Sequence, residues 1–327
     1  MTEAPALTKE LSHDRTVARG LVHVRARSEI FISDSARDGE DAFVAGVQLP
    51  RTHGTWGDRL GDHHDPVVTL EVGRQAVFLD LHRYYEVPAN WKFVLRRVDF
   101  RVVDLEAFRD DRVHPPEGYI ATRLLGRTEQ HGHLDATFSG EVVLSGRTAM
   151  ALSADITVLS PYNYTLLRAK GRGRKPPDGT DPLGTGRVRL PPPLVGRTDP
   201  RNVVIYDLDP DAADDAEVHS YGLVVDEGHP SYFDHPHDHV TGSLILEFCR
   251  QAGIATARRV EGLAPTTLVT GCSMRFEEFA ELDSRTECRA SVARVTAAGD
   301  VLVDVDLIQF GEQIARVQLR LSELPDG

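Results

Sequence analysis

Cysteine is scarce in this chain of 327 residues: Cys249, Cys272 and Cys288 are the only three. So few thiols, odd in number, exclude a disulfide framework and read as reduced cysteines of a cytoplasmic protein. Positive charge is also in deficit. The formal net charge of −13 argues against nucleic-acid binding, which needs a surface that attracts phosphates. It leaves room for anionic small molecules in a locally basic pocket. No apolar run approaches the length of a membrane span. Met1 to Leu11 has no apolar core of the kind a secretory signal needs, so none is expected.

What remains is ordinary for a folded protein: 41% apolar and 27% charged residues, over a length that suits two domains. One pattern organises the rest. Glu71-x-x-Arg74-Gln75-Ala76 recurs as Glu247-x-x-Arg250-Gln251-Ala252, and the matching residues stand 176 positions apart. Each copy lies in an apolar run behind a His/Asp-rich loop, Asp62-His63-His64-Asp65 in the first and Phe233-Asp234-His235-Pro236-His237-Asp238-His239 in the second. A period of half the chain means two copies of one domain.

The pattern of elements repeats too. In the first half, short apolar runs between Val22 and Leu49 predict lead-in strands and loops. Asp65-Pro66 is expected to open a helix, with Asp as N-cap and Pro in the first turn, running to about Tyr85. Its apolar residues lie nearly all round, so the helix should be buried. Strands are expected at 91–103, 119–126, 134–144 and 147–159, the last two joined by a Ser145-Gly146 turn. In the second half, 203–208 and 218–225 are lead-in strands, and Asp238 or Thr241 caps a helix over 242–260. Strands follow at 266–276, 285–295, 301–310 and 313–321. Each half is then a long helix wrapped by a curved antiparallel sheet, an α+β layer pair. The expected domains are a flexible N-terminus over 1–18, a first domain over 19–169, a Gly/Arg/Pro-rich linker over 170–200 and a second domain over 201–327.

On a helix, Glu71, Arg74 and Gln75 share a face, as do Glu247, Arg250 and Gln251. A charged trio on an otherwise apolar helix is costly unless paired or functional. The structural reading is an intrahelical Glu–Arg pair with a Gln that ties down a loop. The functional reading gives Glu a base or orienting role and Arg the binding of an anion. The loop histidines His64, His235 and His239 suit proton transfer near neutral pH. Gly242 offers an unobstructed N–H at a positive helix end, whereas Pro66 stands at the matching place in the first copy and cannot donate. The run His235 to His239 approaches the His-x-His-x-Asp-His signature of dizinc hydrolases but is one residue short, so no metal or other cofactor is expected. Cys249 points away from the Glu/Arg/Gln face and packs in the core. Arg96-Arg97, the basic stretch from Arg168 to Lys175, and Arg258-Arg259 are solvated surface by default.

Val240 to Glu247 resembles the Phe-Pro-Gly-Val-Leu-Ile-Leu-Glu segment of hotdog-fold β-hydroxyacyl carrier-protein dehydratases. A closer resemblance is to the A-factor biosynthesis family, the double-hotdog γ-butyrolactone synthases of actinomycete signalling. It is carried by Val47 to His53, by His64-Asp65-Pro66 leading to Glu71 and Arg74-Gln75-Ala76, and by Asp238 to Gly242 leading to Glu247 and Arg250-Gln251-Ala252. Thr241 replaces the Pro usual there. The resemblance implies a tandem hotdog fold. It also implies transfer of a β-ketoacyl group from acyl carrier protein to the hydroxyl of dihydroxyacetone phosphate, the ester then closing to a butenolide. Glu71 or Glu247 with a loop histidine would be the base, the Gly242 N–H would polarise the thioester oxygen, and Arg74 or Arg250, with Gln75 or Gln251, would hold substrate. Hotdog sites commonly combine the loop of one half with the Glu of the other, so His235, His239 and Gly242 would serve Glu71, or His64 would serve Glu247. Each chain is a pseudo-dimer, and a homodimer of such chains is compatible with the resemblance. The rival expectations are a hotdog dehydratase or thioesterase, and a non-catalytic binder of acyl or butyrolactone ligands.

Overall fold

A computed structural model describes residues 11–175, 183–184 and 186–324. The chain divides into two compact units: Met1–Gly57 with Asp62–Leu167, and Asp58–Gly61 with Arg168–Gly327. The N-terminal part of the expected flexible tail, and residues 176–182 of the expected linker, lie outside the described residues. The elements are β1 (Ile32–Arg37), β2 (Ala42–Gln48), α1 (Val68–Tyr84), β3 (Lys92–Val102), β4 (Glu117–Gln130), β5 (His133–Leu144), β6 (Arg147–Leu159), α2 (Pro161–Arg172), β7 (Ile205–Asp207), β8 (His219–Leu223), α3 (Gly242–Glu261), β9 (Leu268–Phe276), β10 (Glu287–Val295), β11 (Val301–Gln309) and β12 (Glu312–Ser322). Among the described residues no helix is long and apolar enough to cross a membrane.

In the first unit the strand order is β1-β2-β4-β5-β6-β3, and in the second it is β7-β8-β10-β11-β12-β9. The two orders are the same plan, and the pairs are antiparallel. Alternation sets which face is buried. In β11, Val301, Val303, Val305 and Leu307 are all at or below 2% exposure, while Asp304 and Asp306 face out. The β5–β6 turn has Ser145 at φ 50° and Gly146 at φ 76°, and the β11–β12 turn has Phe310 at 54° and Gly311 at 75°. Two successive left-handed residues make the tight turn that matches strand twist, which is why Gly closes each pair. Val77 and Leu81 of α1 pack on Leu134, Ala136, Phe138, Ile156 and Val158 of β5 and β6.

Three features differ from the sequence expectation. Helix α1 starts at Val68 rather than at Pro66. The Asp65 carboxylate accepts the Val67 N–H at 3.1 Å and the Asp65 carbonyl accepts the Val68 N–H at 3.1 Å, so Asp65 holds a turn leading into the helix. Helix α2 was not anticipated; it is polar overall and buries no residue. Its start is nonetheless chemically ordinary: Pro161 occupies the first position, and the Ser160 hydroxyl accepts the Asn163 N–H at 3.3 Å. Finally, Pro192–Val195 is a 3-10 turn that ends on Gly196 at φ 70°, so part of the composition-defined linker is ordered. By contrast α3 begins as expected, with the Thr241 hydroxyl accepting the Leu244 N–H.

Candidate active site

The repeat builds the same backbone clamp in both units. In the first, the Gln75 side chain donates to the Glu29 carbonyl at 2.7 Å and accepts the Phe31 N–H at 2.9 Å. In the second, Gln251 donates to the Asn202 carbonyl at 2.6 Å and accepts the Val204 N–H at 2.9 Å. Each Gln also donates to its own Glu, Gln75 to Glu71 at 2.7 Å and Gln251 to Glu247 at 2.5 Å. Arg74 reaches the Val22 carbonyl at 3.2 Å, and Arg250 the Val195 carbonyl at 3.0 Å. Both glutamines are fully buried. Every amide atom of the pair is spent on holding the lead-in segment against the helix, which is the loop-tying role.

The two glutamates then part company. Glu71 is held bidentately by Arg74, at 2.8 and 2.7 Å. The Glu71 and Arg74 side chains remain 13% and 33% exposed. Glu247 is held bidentately by Arg197, at 2.9 and 2.6 Å, with Arg250 a further 3.3 Å away. The Arg197 and Glu247 side chains are 0% and 1% exposed. Arg197 also donates to the Asp58 carbonyl at 2.7 Å. The Asp58 carboxylate accepts from Thr198 N at 2.8 Å, from the Thr198 hydroxyl at 2.5 Å and from Asn202 Nδ2 at 2.8 Å. Burial alone would raise the Asp58 pKa, but these hydrogen bonds outweigh it and leave the carboxyl below its usual range. Glu247 and Arg250 are therefore sealed inside a framework. Arg197 was invisible to sequence reasoning because it sits in a stretch that composition marks as linker. Its one signal was an arginine flanked by apolar Val195 and a turn-forming Gly196.

Histidines recur with the same spacing. His53 Nδ1 accepts the Thr55 and Trp56 N–H groups, each at 3.2 Å, and its Nε2 faces Glu29 at 3.2 Å. His229, 176 residues on, accepts the Ser231 and Tyr232 N–H groups and its Nε2 faces the Asn202 side-chain carbonyl at 3.1 Å. Burial pushes the His229 pKa down to about 4. Neither residue was singled out for a role, because each lies in an irregular loop without periodicity.

A second recurrent pair is an Asp followed by a His that it orients. His63 Nδ1 donates to Asp62 at 2.7 Å, and His239 Nδ1 donates to Asp238 at 2.7 Å. The His63 side chain is 7% exposed and the His239 side chain 24%. Arg168 donates to the Asp238 carboxylate at 3.2 Å and to its carbonyl at 2.9 Å, fixing the residue that orients His239. His64 is buried at 1% exposure, with its backbone N–H on the Phe108 carbonyl at 2.7 Å. His235 Nδ1 donates to Asp234, and its ring lies 4.1 Å from that of His237. Gly242 is exposed at the start of α3, with no atom within 4 Å of where a side chain would sit. The loop of the second unit thus offers an oriented imidazole three residues before an open helix N-terminus. All three cysteines are free and buried, and burial raises their pKa values, that of Cys272 to about 12. None is fit for nucleophilic attack.

The family model of the A-factor biosynthesis hotdog domain matches residues 6–131 and 185–324. The chain belongs to that family. Each unit is accordingly a hotdog, one helix on one antiparallel sheet, and the chain is a tandem of two. It is similar to the 2-oxo-3-(phosphooxy)propyl 3-oxoalkanoate synthase of Streptomyces coelicolor, 30% identical over 303 residues that make up 91% of this chain and 89% of that protein. A protein of the same name from Streptomyces griseus subsp. griseus is 26% identical over 323 residues, 95% of this chain and 93% of that one. Among solved structures, a tesB protein of Mycobacterium avium subsp. paratuberculosis aligns over 89% of this chain and 96% of its own, with a TM-score of 0.46 and 15% identity.

Proposed function

We propose that this family member transfers a β-ketoacyl group from an acyl carrier protein thioester to the hydroxyl of dihydroxyacetone phosphate. The relatives' name describes the ester such a transfer yields: a 3-oxoalkanoate joined to a 2-oxo-3-(phosphooxy)propyl group. The observation that carries the reading here is the Asp238–His239 pair beside Gly242. Acyl transfer to an alcohol needs a base for the hydroxyl and a donor for the thioester oxygen. Asp238 holds the His239 proton on Nδ1, which leaves Nε2 as the basic atom. His239 takes the hydroxyl proton, the alkoxide attacks the thioester carbon, the C–O bond forms, the C–S bond breaks, and the proton passes to the leaving thiolate. The Gly242 N–H and the helix dipole stabilise the oxyanion on the way. Phosphate binding is assigned to an arginine of the repeat, Arg74 or Arg250, of which Arg74 has the more exposed side chain. Glu71 holds Arg74 in place. The phosphorylated β-keto ester can then close to a butenolide by intramolecular aldol condensation. The reaction belongs in the cytoplasm, with carrier-protein thioesters and reduced thiols.

The test is to supply a β-ketoacyl carrier-protein thioester with and without dihydroxyacetone phosphate, following thiol release and ester formation. The acceptor should accelerate release and appear in the product. Release that ignores the acceptor would instead mark a hotdog thioesterase. His239→Ala should lower the turnover of the folded enzyme by about 10²- to 10⁴-fold, the range of a general base. A loss below tenfold would make His239 a loop tie.

A further inference from the structure

The two copies share some of their polar residues and not others. The Glu-x-x-Arg-Gln clamp, the Asp–His pairs and the backbone-capping histidines all recur at 176-residue spacing. His235 and His237 do not. Their counterparts in the first copy are Arg59 and Gly61, while Asp234 matches Asp58. Asp58 spends its carboxylate on Thr198 and Asn202. The first copy has neither histidine, so the two are particular to the second.

We propose that Asp234, His235 and His237 form a site for a divalent first-row transition cation, zinc above the others. One ligand atom from each lies within 4.8 Å of the other two, and this is the one such trio among the described residues. All three side chains are half-buried, neither sunk in the core nor loose on the surface. Zinc bonds run about 2.0–2.2 Å for His nitrogen and carboxylate oxygen, and small side-chain rotations within this cluster bring the three ligand atoms to that distance from one ion. Pro236 sits between the histidines and fixes one backbone dihedral, which limits how far the rings can splay. The rings are 4.1 Å apart at their centroids. His235 Nδ1 donates to Asp234. A cation would replace that shared proton, so its binding should release protons. Two imidazoles and one carboxylate suit zinc and its neighbours rather than magnesium or calcium, which prefer oxygen. Three protein ligands leave a position for water or a substrate oxygen. The histidine run is one residue short of the dizinc signature, but that signature serves two metals, and one ion needs only three of these side chains.

The test uses the full chain, freed of metal by a chelator and titrated with Co²⁺, then Zn²⁺. Cobalt should give visible ligand-field bands that saturate at one equivalent per chain, and zinc should displace it. Loss of even an outer-shell partner weakens metal binding by about 10- to 100-fold. His235→Asn, His237→Asn and Asp234→Asn should therefore each weaken binding by about tenfold or more, while the surface variant His114→Asn leaves it unchanged. Thermal melts of the metal-free variants, expected to match the parent, show that the loss is not unfolding. The assignment fails if the titration does not saturate. It fails equally if the folded double variant His235→Asn, His237→Asn binds cobalt as the parent does. Because binding is read by spectroscopy, the result stands apart from the transfer reaction.

Discussion

The first and second copies of Glu-x-x-Arg-Gln-Ala hold their lead-in segments with the same hydrogen bonds, yet only one of them is closed. The carbonyls that receive Arg74 and Arg250 belong to Val22 and Val195. Two residues further on stand Val24 in the first copy and Arg197 in the second. That one difference decides the fate of the glutamate. Arg197 fills the space beside Glu247, takes both carboxylate oxygens and reaches the Asp58 carbonyl, so nothing of the pair meets solvent. The first copy has Val24 in that position, and its Glu71 and Arg74 side chains stay partly exposed. A duplicated motif is therefore not evidence for a duplicated site. The framework kept both copies, and the open copy is the one with charge to offer a ligand.

The largest expected effect follows from the sealed copy. Arg197→Ala removes the bidentate partner of the buried Glu247 carboxylate and leaves it the single longer arginine contact, to Arg250, and breaking a buried pair costs about 3–5 kcal/mol. Denaturant unfolding should register that loss. Replacing both partners, Arg197→Met with Glu247→Gln, should restore part of it, because the uncompensated charge is gone. The comparison breaks if Arg197→Ala is no worse than Arg74→Ala, which removes a partly exposed pair and should cost about 0–1 kcal/mol.

A second contrast lies deeper in the helices. Asp80 of α1 is buried, and its carboxylate accepts the Thr122 hydroxyl at 2.6 Å. Its counterpart in α3 is Thr256, whose hydroxyl meets the Tyr221 hydroxyl at 3.3 Å. Burial raises the Asp80 pKa to about 7, and the Thr122 bond only partly offsets it. The folded state therefore holds a proton that the unfolded chain gives up near pH 4. Between about pH 4 and 7 the native state binds more protons, so the stability from this group is full below pH 4 and declines up to pH 7. The decline is on the order of 4 kcal/mol at most. Asp80→Asn should flatten that slope and raise stability at pH 8. An unchanged slope would mean that Asp80 is ionised in the fold.

Most of the fold was legible because alternation is a direct consequence of strands with one buried face, as Val301 to Leu307 show. The X-Gly turns and the Thr241 cap are local chemistry and read equally well. What escaped detection was non-local. Arg197 and Asp58 act across 50 and 139 residues respectively, and neither composition nor periodicity carries such distances. Helix α2 escaped for a different reason, since it is polar overall and buries nothing. At the candidate site, residue types are legible in the sequence and burial is not. Gln75, Gln251, Glu247, Arg250 and His64 are buried, whereas Glu71, Arg74 and His239 keep part of their surface exposed.

Smaller in energy but most direct is the kinetic contrast between Arg74→Ala and Arg250→Ala. A charge-assisted contact to phosphate is worth about 1.5–3 kcal/mol, or roughly 10- to 100-fold in acceptor affinity. Steady-state transfer at varied dihydroxyacetone phosphate, with the melting temperature of each variant measured alongside, reads both copies at once. Arg74→Ala should raise the acceptor KM by that factor, leave the acyl-donor KM alone and melt close to the parent. Arg250→Ala should melt lower, and its folded fraction should keep the parent's acceptor KM. If Arg250→Ala raises the acceptor KM while Arg74→Ala is silent, the second copy binds phosphate and the division between framework and site is the reverse of the one argued from burial.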